Sequence, residues 1–187
     1  MGIKDTYFLD RNKAVLVVID VQEKLCRAMN PDVLTTLTAN ATILLEAAKE
    51  LGLPVIGTEQ YVKGLGETLD VLKKQLPASA LEKMTFSCCG DGNFVTSLKA
   101  TGRTQVIITG METHVCVLQT VLELLEAGYT VHVVRDAVMS RKRENWQTGL
   151  EVAAAAGAVL TSTEAALFQL LKVAGTEEFK KLSKLVR

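Results

Sequence analysis

Three side chains, far apart along the chain, could together carry out nucleophilic chemistry: the thiol of Cys116, the carboxylate of Asp20 and the amine of Lys83. Asp20 ends the apolar run AVLVVI, Lys83 lies in the apolar patch LEKMTFS, and Cys116 follows the run QVIITG after five intervening residues. A thiol attacking an electrophilic carbon needs a base to take its proton and a charge to steady the developing anion. Asp20 and Lys83 supply both. A helix expected over Val115–Glu126 would put Cys116 in its first turn, at the positive end of the helix dipole, which predicts a lowered thiol pKa. A plainer alternative stands beside this one: an Asp–Lys ion pair with a small, buried, inert cysteine nearby.

The elements that must position these groups alternate in type. Ala14–Ile19 is the β-branched run of a strand covered on both faces. Pro31–Leu51 has apolar residues at helical spacing, with Gly52 to stop it. Further strands are predicted at Pro54–Thr58, Leu81–Met84, Gln105–Thr109, Thr130–Val134 and Ala158–Thr161. Helices are predicted at Thr68–Gln75, Gly90–Ala100, Arg143–Ala156 and, capped by Thr163, Glu164–Lys172. A last polar helix should start at Thr176, where Glu177 and Glu178 suit its dipole. Six strands alternating with helices imply a mostly parallel Rossmann-like sheet with helices on both faces. In such sheets ligands bind beyond the carboxyl ends of the strands, where the strand order reverses. Asp20, Cys116 and the segment Thr58, Glu59, Gln60 and Tyr61 follow predicted strands, and Lys83 lies within one.

Composition removes several classes of function. The 187 residues suit one domain, 1–187, and 48 % apolar with 22 % charged residues is ordinary globular usage. Lys+Arg and Asp+Glu balance at 21 each, which suggests neither a nucleic-acid groove nor a membrane surface. The short basic cluster Arg141–Arg143 reads as a solvated helix start. Asp5 and Asp10 stand where a signal peptide would be cationic and then apolar, and the apolar runs fall short of the ~20 residues that span a bilayer. Four cysteines without zinc-type spacing, two of them the adjacent Cys88 and Cys89, point to a reducing, cytoplasmic setting. Gly64-Leu-Gly66 is only a fragment of a phosphate loop.

Longer motifs make the resemblance specific. Asp20 followed by Gln22, Lys83 with Phe86 and Ser87 (KxxFS), and G-x-E-T-x-x-C-V-x-x-T from Gly110 to Thr120 resemble the isochorismatase-like cysteine hydrolase superfamily. VIGTEQYVKGLGET at Val55–Thr68 is similar in particular to the isochorismatase-domain-containing subgroup, with Val62 where that subgroup usually has Pro. The resemblance implies an α/β/α sandwich and a catalytic triad of Cys116, Asp20 and Lys83. It also implies a cis peptide at Met111–Glu112 that turns the Glu112 N–H toward the same point as the Cys116 N–H, forming an oxyanion hole. Gln22, Gln60, Tyr61, Phe86 and His114 are candidate substrate contacts; Trp146 is a weaker one than Phe86.

This chain departs from the metal-dependent nicotinamidases of that superfamily. They begin a metal site with Asp-x-His after the second strand, where this sequence reads TEQY. The two histidines, His114 and His132, assemble no metal site, and His132 reads as packed core. The expectation is therefore a cofactor-free cysteine hydrolase of a small amide, carbamoyl or acyl substrate. The mostly apolar helix after Cys116 suggests self-association. Two alternatives remain: a scaffold that keeps the fold without turnover, and thiol redox sensing through Cys116 or the vicinal pair.

Overall fold

The computed structural model describes residues 2–186. Its strands are β1 (Ala14–Ile19), β2 (Val55–Gln60), β3 (Leu81–Lys83), β4 (Gln105–Met111), β5 (Thr130–Met139) and β6 (Val159–Thr161). The helices, in order, are α1 (Ile3–Tyr7), α2 (Glu23–Arg27), α3 (Pro31–Leu51), α4 (Val62–Leu65), α5 (Asp70–Lys73), α6 (Gly92–Ala100), α7 (Leu118–Glu126), α8 (Arg143–Ala155), α9 (Thr163–Leu171) and α10 (Glu177–Leu182). The sheet has the order β3-β2-β1-β4-β5-β6, and every pairing is parallel.

All six residues of β1 are buried, because each face is covered by helices. Val15, Val17 and Ile19 join the core that includes α6, α7 and α8, while Leu16 and Val18 join the one with α3 and α9. The α3 helix runs over the predicted residues. Asn30 caps it through bonds to the N–H groups of Asp32 and Val33, and Gly52 ends it in the left-handed conformation with φ 69°. At α9 the cap is Ser162, whose hydroxyl accepts from Ala165 N, and not Thr163, which is already helical. The first residues of α10 follow Thr176 as expected.

The chain passes from β1 outward through β2 to β3, then returns to place β4 on the other side of β1. The strand order therefore reverses between β1 and β4, and in sheets of this kind ligands bind beyond the carboxyl ends at such a point. At this seam Ile19 stands opposite Gly110, which has φ 123°. A Cβ there would lie 2.0 Å from the Ile19 carbonyl oxygen, so only glycine lets the strands approach this closely.

His132 in β5 is wholly buried, opposite Ile107 and Val159. Neither ring nitrogen has a hydrogen-bond partner among the described residues. Burial pushes the imidazole down to about 4, against a smaller upward pull from the Thr6 backbone. The unfolded chain therefore binds the proton first. His132 contributes stability above about pH 6.5, and that contribution is lost as pH falls toward 4, up to about 3 kcal/mol. The stability of the wild type in urea should thus fall from about pH 6.5 to about pH 4 more than that of His132→Leu. Parallel pH dependence in the two proteins would contradict a neutral buried imidazole.

Candidate active site

Asp20 leaves β1 with φ 51°, a conformation that Asp tolerates better than most residues. Its carboxylate is fully buried, and so is the Lys83 side chain that enters from β3. Lys83 Nζ donates to Asp20 Oδ2 at 2.7 Å, Gln60 Oε1 at 2.8 Å, Phe86 O at 2.9 Å and Thr85 O at 3.2 Å. Thr58 Oγ1 donates to the other Asp20 oxygen at 2.8 Å and lies 3.7 Å from the Cys88 sulfur. Both charges are thus paired and hydrogen-bonded, which is what makes their burial tolerable.

Cys116 lies on the far side of the seam, 6 % exposed, with its thiol in the field of the Asp20 carboxylate. The expected lowered pKa is not found. Burial pushes the thiol up to about 12, helped by the Asp20 charge and opposed by Lys83. The local backbone adds a reason. Residues Thr113–Val117 form a wide helical turn, with Val117 N donating to Glu112 O at 3.3 Å, and α7 begins only at Leu118. Cys116 is therefore inside the helical winding and not at its exposed first turn, so desolvation outweighs the dipole. Thr120 locks the turn to its neighbour: its hydroxyl donates to Cys116 O at 2.7 Å and accepts from Cys88 N at 2.9 Å. On the other side, a Cβ at Gly149 of α8 would meet the Thr113 carbonyl at 2.9 Å.

The Met111–Glu112 peptide is cis. The Glu112 side chain is buried and faces away from proton chemistry, accepting from Arg141 N at 2.9 Å and from its guanidinium Nε at 3.1 and 3.2 Å.

The remaining candidates separate. Gln22 is not free to contact a substrate: its amide accepts from Gln60 N at 2.7 Å and donates to Gln60 O and Gly66 O. Gln60 is likewise engaged, accepting from Lys83 and donating to Met84 O. Both are buried frame residues, because β2 ends inside the network and not above it. His114 is held between Ser140 Oγ at 3.0 Å and Asn145 Nδ2 at 3.1 Å, tying the turn to the end of β5 and to α8. Tyr61 (φ 41°) and Phe86 stand exposed at the rim, with the Tyr61 ring lying over Gly64. Trp146, ranked below Phe86 from sequence, lines two cavities.

Sequence reasoning missed the roles of Thr58, Thr120 and Arg141. For Thr120 a signal existed, since a Thr four residues after the thiol can bond back to its carbonyl. No group of three His, Cys, Asp or Glu placed to hold a metal ion occurs among the described residues.

An α/β fold with a reactive-residue cluster at its switch point defines a broad class of enzymes; comparison with known proteins narrows it. A family model described as "Isochorismatase domain" matches residues 14–165. The secreted isochorismatase effector Isc1 of Phytophthora sojae is 40% identical over 183 residues, covering 94% of this chain and 85% of that protein. The structure named MAR1 ribonuclease from Caenorhabditis elegans is 36% identical with a TM-score of 0.88, covering 96% of this chain and 92% of that one. The YcaC proteins are each 27% identical. The Escherichia coli one, described as an octameric hydrolase of unknown specificity, has a TM-score of 0.87 and coverages of 95% and 90%. The Pseudomonas aeruginosa one, described with hexane-2,5-diol and covalent acrylamide, has a TM-score of 0.88 and coverages of 99% and 93%. The chain belongs to the isochorismatase family, a hydrolase family.

Removing one partner of the buried pair should be severe. Lys83→Met leaves Asp20 uncompensated and is expected to lose about 3–5 kcal/mol in chemical denaturation. Asp20→Asn combined with Lys83→Met should recover part of that loss. A single variant as stable as wild type would mean that the pair is not a fully desolvated one.

Proposed function

We propose that the protein is a metal-independent cysteine hydrolase of small amide, carbamoyl or related acyl substrates, with Cys116, Asp20 and Lys83 as its triad. The observation that carries this reading is the fully buried pair of Asp20 and Lys83, 2.7 Å apart at the switch point of the sheet, with the buried Cys116 thiol in the field of that carboxylate. With the thiol at about 12, Cys116 rests protonated at neutral pH. Attack therefore requires Asp20 to take the proton as the carbon–sulfur bond forms. Lys83 offsets the charge and orients the carboxylate. The Glu112 and Cys116 backbone N–H groups receive the developing oxyanion. Asp20 then returns the proton to the leaving nitrogen as the carbon–nitrogen bond breaks. Water attacks the thioester, giving a proton to Asp20, and the carbon–sulfur bond breaks as that proton returns to the Cys116 sulfur and the acid leaves. Acrylamide, described as covalent in a YcaC protein, is a Michael acceptor that captures nucleophiles through its alkene, and it supports a reactive nucleophile in that relative.

Two associated readings belong here. Self-association is proposed from the α7 face, where Leu122 is exposed beside the half-buried Leu118 and Leu125, and from the octameric relative. A cytoplasmic location and a single domain over 1–187 rest on sequence alone, and one relative is described as secreted.

The relative named a ribonuclease favours a second reading, phosphodiester cleavage. Against it, every Lys83 proton already has an acceptor within the protein, and balanced charge offers no track for a phosphate backbone.

A pH series separates a base-assisted thiol from a free thiolate. Between about pH 7 and pH 9 kcat/KM should be nearly flat in the wild type, because Asp20 is the base. The small residual rate of a folded Asp20→Asn variant should rise about tenfold per pH unit. Cys116→Ala should be inactive on a panel of amides, ureides and esters, and incubation with acrylamide should add one equivalent to Cys116. A wild type inert on the whole panel, yet active on RNA, would establish the second reading.

A further inference from the structure

A cavity of about 390 Å³ opens at the carboxyl end of β5, and neither Asp20, Lys83 nor Cys116 lines it. Its walls include Arg141, Arg143, Trp146, Met139 and Val33, with no carboxylate among its lining residues. Glu112 holds Arg141 through Nε and the backbone N–H, so the guanidinium is anchored on one edge while its terminal nitrogens bond to nothing among the described residues. Arg143 makes no ion pair among the described residues. Behind the indole, Arg135 lies 5.8 Å from the ring centroid. A neighbouring cavity of about 290 Å³, sharing Trp146 and Val33, holds the acids Asp32 and Asp136. Thr163 engages Asp136 there through its N–H and hydroxyl.

Placement makes the arginines more telling. Arg143 opens α8, with Glu144 as the acid of its first turn, and Arg141 stands just before the N-cap, Lys142, which provides no side-chain bond to the first N–H groups of this 13-residue helix. Cations at the positive end of a helix are electrostatically unfavourable, and an anion held there would relieve both them and the uncapped amides. A wall of indole, thioether and isopropyl groups asks at the same time for a flat apolar body.

We propose that this cavity is a binding site for a small cyclic or aromatic carboxylate. Arg143 and the free edge of Arg141 receive the carboxylate, and the ring lies against Trp146 and Met139. The site does not depend on turnover at Cys116. It does adjoin the turn that carries Cys116, because Ser140 and Arg141 of its wall bond to His114 and Glu112.

Trp146 is the chain's single tryptophan, so its fluorescence reports on this cavity directly. Benzoate should change that emission saturably, whereas benzyl alcohol, which lacks the charge, and acetate, which lacks the ring, should not. Arg143→Gln, at an exposed position, should weaken benzoate binding about tenfold or more while its circular dichroism stays that of the wild type. Cys116→Ala should bind as wild type does. No saturable response, an equal response to benzyl alcohol or acetate, or binding kept in Arg143→Gln but lost in Cys116→Ala would overturn the proposal.

Discussion

The buried ion pair between Lys83 and Asp20 is the constraint around which the rest of the rim is organised. Two ions taken out of water are each costly, and their attraction compensates only where the remaining hydrogen-bonding capacity is also met. That requirement accounts for many of the surrounding residues. Gln60 and the carbonyls of Thr85 and Phe86 complete the ammonium, and Thr58 serves the second carboxylate oxygen. Gln22 fixes Gln60 by bonding its backbone on both sides. The acceptors come from β2 and from the loop after β3, so the edge strand and its neighbour are tied to the central strand by charge as well as by the ladder.

Against this background the high pKa of Cys116 is coherent. The same desolvation that makes the pair strong also disfavours a thiolate beside a carboxylate. A protonated, buried sulfur beside a carboxylate differs from the exposed, dipole-activated thiol that the motif first suggests.

Much of the fold was legible in the sequence. Continuous β-branched runs and glycine stops placed β1 and α3 on their observed residues, and the alternation implied the parallel sheet. The chain's polar stretches were less so. The helices α1, α2 and α4 have four or five residues each, too few for a period to show. β5 runs five residues past its apolar core, to Met139, through the polar Arg135 and Asp136. At the site, Asp20, Lys83 and Cys116 were visible as unusual residues beside or within strands. Gln22, Gln60 and His114 were visible too, but as contacts for a ligand. Sequence shows that a polar residue sits at a rim; it does not show that its bonds are already filled by backbone from elsewhere in the chain.

Gly110 limits how this scaffold can be varied. Because its missing side chain is what lets β4 lie against the Ile19 carbonyl, the middle of the rim is set by main chain touching main chain. No substitution on either strand can widen or reshape that join without pulling the sulfur and the acid apart. Diversity of ligand within such a scaffold therefore has to arise at the flanks, in the loop beyond β2 and in the arginine-rich corner beyond β5, while the middle stays as it is.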